Sequence, residues 1–331
     1  MIDPRRLKVL RALADHGTVT AAGNALHLSP SAVSQQLAAL EAEVGQELLR
    51  RKGRRVWLTS AGELLVEHAN AVLAELEHAE ARLAAHASGV LGRVEVAAFA
   101  SAITQVVAPA IAALRESTPD LRVHVRDAEG QQSLPLLLDG EIDIAVTVQY
   151  RATPGEHDRR LSRVPLYAEP FYAVLPPGHP AIAGGSVRLA DLAEEDWIAP
   201  LPGNPCRDLV LLSCEAAGFA PRITQTSDDF DAEAALVTAG AGVALIPRTA
   251  LGATDPARVL PVAGETPTRR VFAAVRRGRE EHPLVSAVGL ALRAAAEEVP
   301  TRLHGAGGDR AAPGRPRPAA VVRRGEAGSG Y

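Results

Sequence analysis

Short polar side chains that could hydrogen-bond to the edges of DNA bases recur on one face of a predicted helix. Ser29 can cap this helix and Pro30 can begin it. Apolar residues spaced 4, 3 and 4 apart form a stripe for burial, namely Val33, Leu37, Leu40 and Val44. The opposite face carries short uncharged residues, namely Pro30, Ser31, Ser34, Gln35 and Ala38. Serine and glutamine can bond base edges, and proline or alanine can touch a thymine methyl, so this face suits a DNA major groove.

The elements around this helix fit the same interpretation. Two shorter helices are predicted before it, the first beginning at Pro4 and the second capped by Thr18. After it comes a basic loop, Arg50 to Arg55, with a glycine at its tip and apolar residues on both sides. Such a hairpin would contact phosphate or the minor groove. We therefore predict an all-α winged helix-turn-helix over residues 1–60, and the alternative is a solvated turn after a small helical bundle.

The charge distribution agrees with a local nucleic-acid contact. Residues 1–60 carry 9 basic and 5 acidic residues, whereas the whole chain has a formal net charge of −4. The positive charge is therefore confined to the N-terminal module, and the remaining residues are acidic.

Length and composition limit the other possibilities. The 331 residues are enough for two or three domains. No run of 18 apolar residues and no apolar segment behind the N-terminal basic residues is present, so neither a membrane span nor a signal peptide is expected. Two cysteines do not form a disulfide framework, and we expect a cytoplasmic protein.

A long helix is predicted over residues 61–88, after the capping pattern of Ser60 and Glu63. Apolar residues along it follow a heptad spacing, namely Leu65, Ala69, Val72, Leu76, Ala79 and Leu83. One copy cannot bury this seam, so we interpret it as a dimerisation element. The alternative is that the helix packs only on its own DNA-binding domain.

From residue 91 onward, strands and helices alternate in two runs, a pattern typical of parallel sheets covered by helices. We predict a two-lobed α/β domain over residues 91–303. Lobe I spans 91–164 and 268–303, and lobe II spans 165–267. A cleft between the lobes would suit a small ligand. The glycine-, proline- and arginine-rich residues 304–331 are predicted to be a disordered tail.

The sequence contains no pattern typical of a catalytic, metal-binding or cofactor-binding site. The ten histidines lack metal-ligand spacing, no nucleophile elbow occurs, and the segment Gly240 to Gly242 lacks the third glycine of a dinucleotide-binding loop. We therefore expect no catalytic residue, no metal and no cofactor.

Residues 3–300 resemble the LysR-type transcriptional regulators. The resemblance rests on TAAGNALHLSPSAVSQQLAALEAEVGQELLRR and RRVWLTSAGELLV, then on LLDGEIDIAV at 137–146, LPPGHPAI at 175–182 and LVTAGAGVALIP at 236–247. A leucine at position 49 replaces the phenylalanine more common in the family.

The resemblance implies a dimer or tetramer that binds double-stranded promoter or operator DNA, contacts RNA polymerase and has a periplasmic-binding-protein-like effector domain. It assigns base contact to Pro30, Ser31, Ser34 and Gln35, and contact with the DNA backbone to Arg51, Arg54 and Arg55. It assigns effector contact to Ser101, Ala102, Thr147, Gln149, Asn204, Asp229 and Phe230. A helix N-terminus with a hydroxyl suits a carboxylate, which favours an anionic small-molecule effector.

Two alternatives remain open. The lobes would also suit a solute-binding protein, although the winged module and the missing signal peptide argue against it. Some relatives sense peroxide with two cysteines in the region of Cys206 and Cys214. On one continuous helix their Cα atoms would lie about 12 Å apart, too far for a disulfide, which favours two structural thiols.

Overall fold

The computed structural model describes residues 1–52, 55–86, 92–149 and 158–299. The expected tip of the wing at Gly53 and Arg54, the expected hinge after Ser88 and the expected tail at 304–331 lie outside the described residues.

The N-terminal domain is a three-helix bundle followed by a hairpin. It consists of α1 (Pro4–His16), α2 (Val19–Ala25), α3 (Pro30–Val44), β1 (Leu49–Lys52) and β2 (Arg55–Leu58). The predicted caps form because a side-chain oxygen accepts from an orphan backbone amide at each helix start. Asp3 accepts from the amide of Arg5 at 2.9 Å, Thr18 from that of Ala21 at 3.1 Å, and Ser29 from that of Ala32 at 3.2 Å.

The turn between α2 and α3 depends on a close backbone approach at Gly23. A Cβ atom built there would lie 2.7 Å from the carbonyl oxygen of Leu28, closer than real Cβ contacts. The amide of Leu28 donates to the carbonyl of Gly23 at 2.8 Å, which closes the turn. The glycine therefore sets how tightly α3 folds back on α2.

The long helix α4 (Ser60–His86) follows the hairpin and leads towards the second domain. That domain alternates strands and helices. Its strands are β3 (Gly92–Ala98), β4 (Leu121–Asp127), β5 (Ile144–Val148), β6 (Leu161–Val174), β7 (Asp196–Ala199), β8 (Arg222–Thr226), β9 (Val243–Pro247), β10 (Val259–Pro261) and β11 (Thr268–Arg276). Its helices are α5 (Ala100–Ala102), α6 (Ala108–Ser117), α7 (Gly130–Asp139), α8 (Pro205–Ala216), α9 (Phe230–Thr238) and α10 (Pro283–Glu297), and a π-helical turn at Ile103–Val107 joins α5 to α6.

The strands form one continuous sheet in the order β4-β3-β5-β11-β6-β9-β7-β8, with β10 paired to β6. Parallel pairing within β4-β3-β5 marks lobe I, and parallel pairing within β9-β7-β8 marks lobe II. The antiparallel strands β6 and β11 cross between them. Two lobes joined by two crossing strands match the predicted fold class.

The strand β6 contains two prolines. It begins at Leu161 and includes Pro165 and Pro170. The pairing with β11 shifts register between Val271 and Phe272, which leaves Leu166 as an extra residue in β6. Proline cannot donate a ladder hydrogen bond, and a bulge is one way in which a strand accommodates it.

Helices cover both faces of each lobe. α6 and α10 pack on one face of lobe I through Ala110, Leu114, Val288 and Leu292, and α7 covers the other face. In lobe II, α8 packs beside Trp197 on one face and α9 covers the opposite one. Within the described residues, no helix is both long enough and apolar enough to cross a membrane.

Polar contacts join the DNA-binding domain and α4 to lobe I of the same chain. Glu77 on α4 accepts from the Nε atom of Arg276 at 2.9 Å. His16 lies 2.9 Å from Asp139, and Asp15 pairs with Arg160. A Cβ atom at Gly278, where φ is +90°, would lie 2.1 Å from the carbonyl oxygen of Ala74, so the turn after β11 presses directly against α4.

Candidate functional site

The exposed face of α3 is the first candidate site. Val33, Leu37 and Leu40 are buried in the N-terminal core. Pro30, Ser31 and Gln35 are exposed and Ser34 is half-buried, so the four predicted base-contacting residues share one accessible face. Among the described residues, no ion pair involves these four side chains, and the hydroxyls of Ser29 and Ser31 lie 2.9 Å apart.

The β1–β2 hairpin lies after α3 and has the antiparallel pairing expected of a wing. Leu49 pairs with Leu58 and Arg50 with Trp57. Glu41 on α3 fixes the start of the hairpin because one of its oxygens accepts from the amides of Leu48 at 2.8 Å and Leu49 at 3.1 Å. The backbones of Arg51 and Arg55 belong to the strands, whereas Arg54 and the side chains of all three predicted phosphate-contacting arginines lie outside the described residues.

The apolar seam of α4 divides into two parts. Ala69 is buried and Leu65 packs beside it, both against the core of the DNA-binding domain. Further along, Val72, Leu76 and Leu83 are 41%, 43% and 71% exposed, and Ala79 is exposed as well. The first two residues of the seam therefore pack on the DNA-binding domain of the same chain. The last four residues of the seam are exposed to solvent in the single chain.

A cavity of about 550 Å³ separates the two lobes. Of the residues expected to bind effector, Ser101, Asp229 and Phe230 line it. Ala102 is fully buried in the core of lobe I, and Thr147 is fully buried in β5. Gln149 lines a different cavity, which α8 of lobe II and Arg270 also line.

Asn204 sits behind the cleft wall and organises it. Its side-chain oxygen accepts from the amide of Cys206 at 2.8 Å, which caps α8, and its amide nitrogen donates to Asp228 at 2.9 Å. Asn204 is only 2% exposed, and in this structure its side chain positions α8 and Asp228.

Behind the residues that line the cleft lies a buried ion pair between the two crossing strands. Arg269 on β11 lies 2.7 Å from Glu169 on β6, and each is 2% exposed. Arg269 also donates to the hydroxyls of Ser101 in lobe I at 2.8 Å and Thr249 in lobe II at 3.0 Å. Its guanidinium stacks on the ring of Phe99 at 4.8 Å. The arginine is neutralised by its own chain and links both lobes.

The side walls of the cleft are acidic. The carboxylates that line it are Asp127, Glu129, Asp228, Asp229 and Asp231. Burial, and then the charge of Asp228 across the cleft, raise the pKa of Glu129 to about 7. This lining does not favour the expected anionic effector, because an added carboxylate would meet like charges, and Arg269 is already paired with Glu169.

Several of these residues were not among the expected site residues, although the sequence holds a signal for them. The segments Asp127-Ala-Glu129 and Asp228-Asp-Phe-Asp231 each follow a strand of a parallel unit. Ligand sites in open α/β sheets lie at the carboxyl ends of such strands. Arg269 and Glu169 gave no comparable signal, because charged residues within strands usually face solvent.

The two thiols are buried and separated by two helical turns. Both lie on α8, which is continuous from Pro205 to Ala216. Burial raises the pKa of Cys206 to about 11 and that of Cys214 to about 12. Both are therefore protonated near neutral pH, and neither has the thiolate character of a reactive cysteine.

Comparison with known families decides the identity of the chain. Residues 4–63 match the family model described as "Bacterial regulatory helix-turn-helix protein, lysR family", and residues 87–297 match the model described as "LysR substrate binding domain". The chain belongs to the LysR-type transcriptional regulators. It is thus a DNA-binding regulator with an effector-binding domain.

Individual relatives of this LysR-type regulator are moderately similar. A probable hydrogen peroxide-inducible genes activator of Mycobacterium avium is 31% identical over 246 residues, which cover 74% of this chain and 78% of that protein. The H2O2-bound C206S mutant of Corynebacterium glutamicum OxyR is 24% identical with a TM-score of 0.58, over 92% of this chain and 96% of that one. CbnR in complex with its target DNA is 26% identical with a TM-score of 0.50, over 89% of this chain and 100% of that one.

Proposed function

We propose that this LysR-type regulator reads promoter DNA through the exposed face of α3 and the arginines of the wing. The observation that carries the proposal is the contrast between the two faces of α3, one buried and apolar, the other open, polar and uncharged. An uncharged face can enter a major groove and exchange hydrogen bonds with bases, while nearby arginines provide the phosphate contacts. The similarity to CbnR, whose structure includes its target DNA, supports this assignment.

The regulator acts as a dimer through α4. The exposed seam of Val72, Leu76, Ala79 and Leu83 has the 4-3-4 spacing that packs two helices together. A two-fold dimer places two copies of α3 on successive half-sites, so that both contribute to affinity for one operator. Higher assembly to a tetramer and contact with RNA polymerase are compatible with this arrangement.

The second domain binds a small-molecule effector between its lobes and changes the DNA-bound state. The interlobe cavity has a size suited to a metabolite-sized ligand. Its residues serve binding, not bond breaking, because no activated nucleophile lies in it, and we propose that the protein is not an enzyme. Its work on the chromosome places it in the cytoplasm.

Peroxide sensing is a second candidate function. One relative described above is named as a hydrogen peroxide-inducible genes activator, and the structure of another contains bound H2O2. The thiols argue for effector binding instead. Cys206 and Cys214 are 4% and 0% exposed, and their raised pKa values keep them protonated. A disulfide between them would require unwinding of α8.

Base reading is tested by mobility shifts of the full-length chain on its own upstream DNA and on unrelated DNA. Gln35→Ala removes a side chain that can bond adenine, which should weaken specific binding by about 1–3 kcal/mol and leave non-specific binding nearly unchanged. Gln46→Ala is the matched control, because Gln46 is exposed beyond the end of α3. Equal losses on both DNAs for Gln35→Ala would contradict base reading.

A further inference from the structure

The β1–β2 hairpin carries an exposed aromatic ring that neither the core nor the contacts assigned above use. Trp57 is 47% exposed, and among the described residues it is the one aromatic ring in the group of exposed large apolar side chains. The chain has only two tryptophans, and the other, Trp197, is fully buried in lobe II. A large apolar ring in water gains free energy when a partner covers it, so this surface is a candidate contact.

The strand register places an arginine directly beside this ring. Leu49 pairs with Leu58 across the hairpin, and both pack on the core of the DNA-binding domain. Side chains alternate between the two faces of a strand, so the next pair, Arg50 and Trp57, lies on the face turned away from that core. Directly opposed residues have Cβ atoms about 4.5–5.5 Å apart. Within the described residues, neither of these two side chains has a hydrogen-bond, ion-pair or ring partner.

The hairpin begins on a flank of α3 that also carries a predicted base-contacting residue. Glu41 on α3 accepts from the two amides at the start of the hairpin, at 2.8 Å and 3.1 Å. Ser34 and Glu41 are seven residues apart, about two helical turns, so they lie on one side of α3. At the other end of the hairpin, the hydroxyl of Thr59 donates to the carbonyl of Glu47 at 2.7 Å. The hairpin is therefore held at both ends next to the exposed face of α3.

The charge of the hairpin favours nucleic acid as the molecule that covers this face. Residues 50–58 include five basic residues and no acidic one. The other candidate cover is α4 of a second copy, which is rich in glutamates. On that helix, Glu67, Glu77 and Glu80 already pair with arginines of the effector-binding domain, at 3.5, 2.9 and 3.7 Å. The phosphates of DNA therefore complement the hairpin better than α4 does.

We propose that Trp57 packs on the sugar–phosphate backbone of duplex DNA, beside the groove that α3 enters, and that Arg50 binds a neighbouring phosphate. This inference rests on the proposed function, in which α3 and the wing bind promoter DNA. The indole ring covers the apolar edge of a deoxyribose, and its N–H group donates to a phosphate oxygen. A backbone contact carries no sequence information, so it contributes equally on operator and unrelated DNA.

Acrylamide quenching of tryptophan fluorescence in the full-length chain tests the contact directly. Trp197 is 0% exposed, so the quencher reaches Trp57 alone. Saturating duplex DNA, either the chain's own upstream fragment or an unrelated fragment of equal length, should lower the quenching constant at least threefold. Trp57→Phe should show no change in quenching on addition of DNA, which assigns the signal to Trp57.

Mobility shifts of three variants separate the contribution of the ring from that of the charge. Trp57→Ala should weaken binding to both DNAs about tenfold and leave the slope of log affinity against log salt unchanged, because no charge is lost. Arg50→Gln should reduce that slope by about one. Leu290→Ala should change neither quantity, and it is the matched control because Leu290 is apolar and 66% exposed on α10. Thermal melts of each variant establish that it folds.

Three results would overturn the inference. They are unchanged quenching of Trp57 on both DNAs, a loss of affinity for Trp57→Ala that is confined to the upstream DNA, and quenching that already falls as the protein concentration rises without DNA. The third result would assign this face to a second copy of the chain.

The same experiments distinguish failure of the inference from failure of the proposed function. If the chain binds its upstream DNA specifically while Trp57 stays accessible to acrylamide, base reading by α3 stands and only the wing contact is lost. If both DNAs bind equally well and protect Trp57, base reading fails and the backbone contact of the wing stands.

Discussion

The DNA-binding domain and the interlobe cleft use charged and polar residues in opposite ways. In the first, the polar residues that we propose to face DNA come from one helix, Pro30–Val44, and lie on its exposed side. In the second, the lining residues come from the ends of four separated strands, and the strongest charges face inward. The exposed face of α3 is positioned by the core of the N-terminal domain and α4, whereas the cleft forms only where both lobes and both crossing strands meet.

The two regions therefore differ in how strongly a single substitution disturbs the structure. A side chain on the exposed face of α3 can be replaced at little structural cost, because it is not part of the core. Arg269 touches groups from both lobes and from the other crossing strand, so its replacement affects folding and ligand binding together. Mutations in the first region should therefore change affinity alone, and those in the second should change stability as well.

Removal of Arg269 should produce the largest effect. Arg269→Met leaves Glu169 as an uncompensated buried charge and should cost about 3–5 kcal/mol of unfolding free energy. Adding Glu169→Gln removes that charge and retains an acceptor for the amide of Thr249, which now donates at 2.6 Å, so the double variant should recover much of the loss. The fluorescence of buried Trp197 during urea unfolding, with exposed Trp57 replaced by phenylalanine, reports on lobe II. A loss below 1 kcal/mol for Arg269→Met would show that the pair does not hold the lobes.

Glu233 should make the stability of the effector domain depend on pH. The folded protein keeps this carboxyl protonated up to about pH 8, whereas the unfolded chain releases the proton near its ordinary value of 4.5. Rising pH across that window favours the unfolded chain. Glu233→Gln should therefore lose less stability than the wild type between pH 5 and pH 8, by about 3–4 kcal/mol. Melts at both pH values measure this, with Glu215→Gln on the exposed side of α8 as control. Parallel pH curves for Glu233→Gln and the wild type would contradict a buried neutral acid.

The same substitution should have opposite signs at two glycines. Gly23→Ala places a methyl against the carbonyl of Leu28 and should destabilise the DNA-binding domain by about 1–3 kcal/mol. Gly289→Ala, in α10 with nothing within 4 Å of the new Cβ, should stabilise by about 0.5–1 kcal/mol. Calorimetric melting of the two variants measures both effects. Stabilisation by Gly23→Ala would show that the α2–α3 turn relaxes without strain.

The smallest structural effect is expected at Arg54. Arg54→Ala should leave the melting temperature unchanged and reduce the slope of log affinity against log salt by about one, since each phosphate contact contributes about 0.9. Arg122→Ala, an exposed arginine of the effector domain, should leave the slope unchanged. Identical slopes for Arg54→Ala and the wild type would mean that this arginine does not contact the backbone.

The sequence predicted most of the fold, because most of the fold depends on local signals. The caps at Asp3, Thr18 and Ser29 and the apolar stripe of α3 can be identified without tertiary information. The two-lobed α/β class followed from alternating elements. The first half of β6 could not be predicted, because Pro165 argues against a strand unless a bulge is known to accommodate it.

The cleft was less predictable, because its chemistry comes from pairs that are distant in sequence. Expected contacts at Ala102 and Thr147 turned out to be core residues, since every residue of β5 is buried. The sign of the cleft's charge could not follow from helix ends alone. It depends on Glu169 neutralising Arg269, 100 residues away, and on two acidic segments meeting across the lobes.

The strand β11 carries an arginine at each of its functional ends. Arg269 lies behind the cleft. Arg276 lies about 23 Å further along the strand, at 3.3 Å per residue, and donates a hydrogen bond to Glu77 of α4. Flanking strands on both sides hold β11 by hydrogen bonds, so it cannot stretch. We therefore expect a change in the position of β11 at Arg269 to change its position at Arg276 as well, and with it the contact between the effector-binding domain and α4.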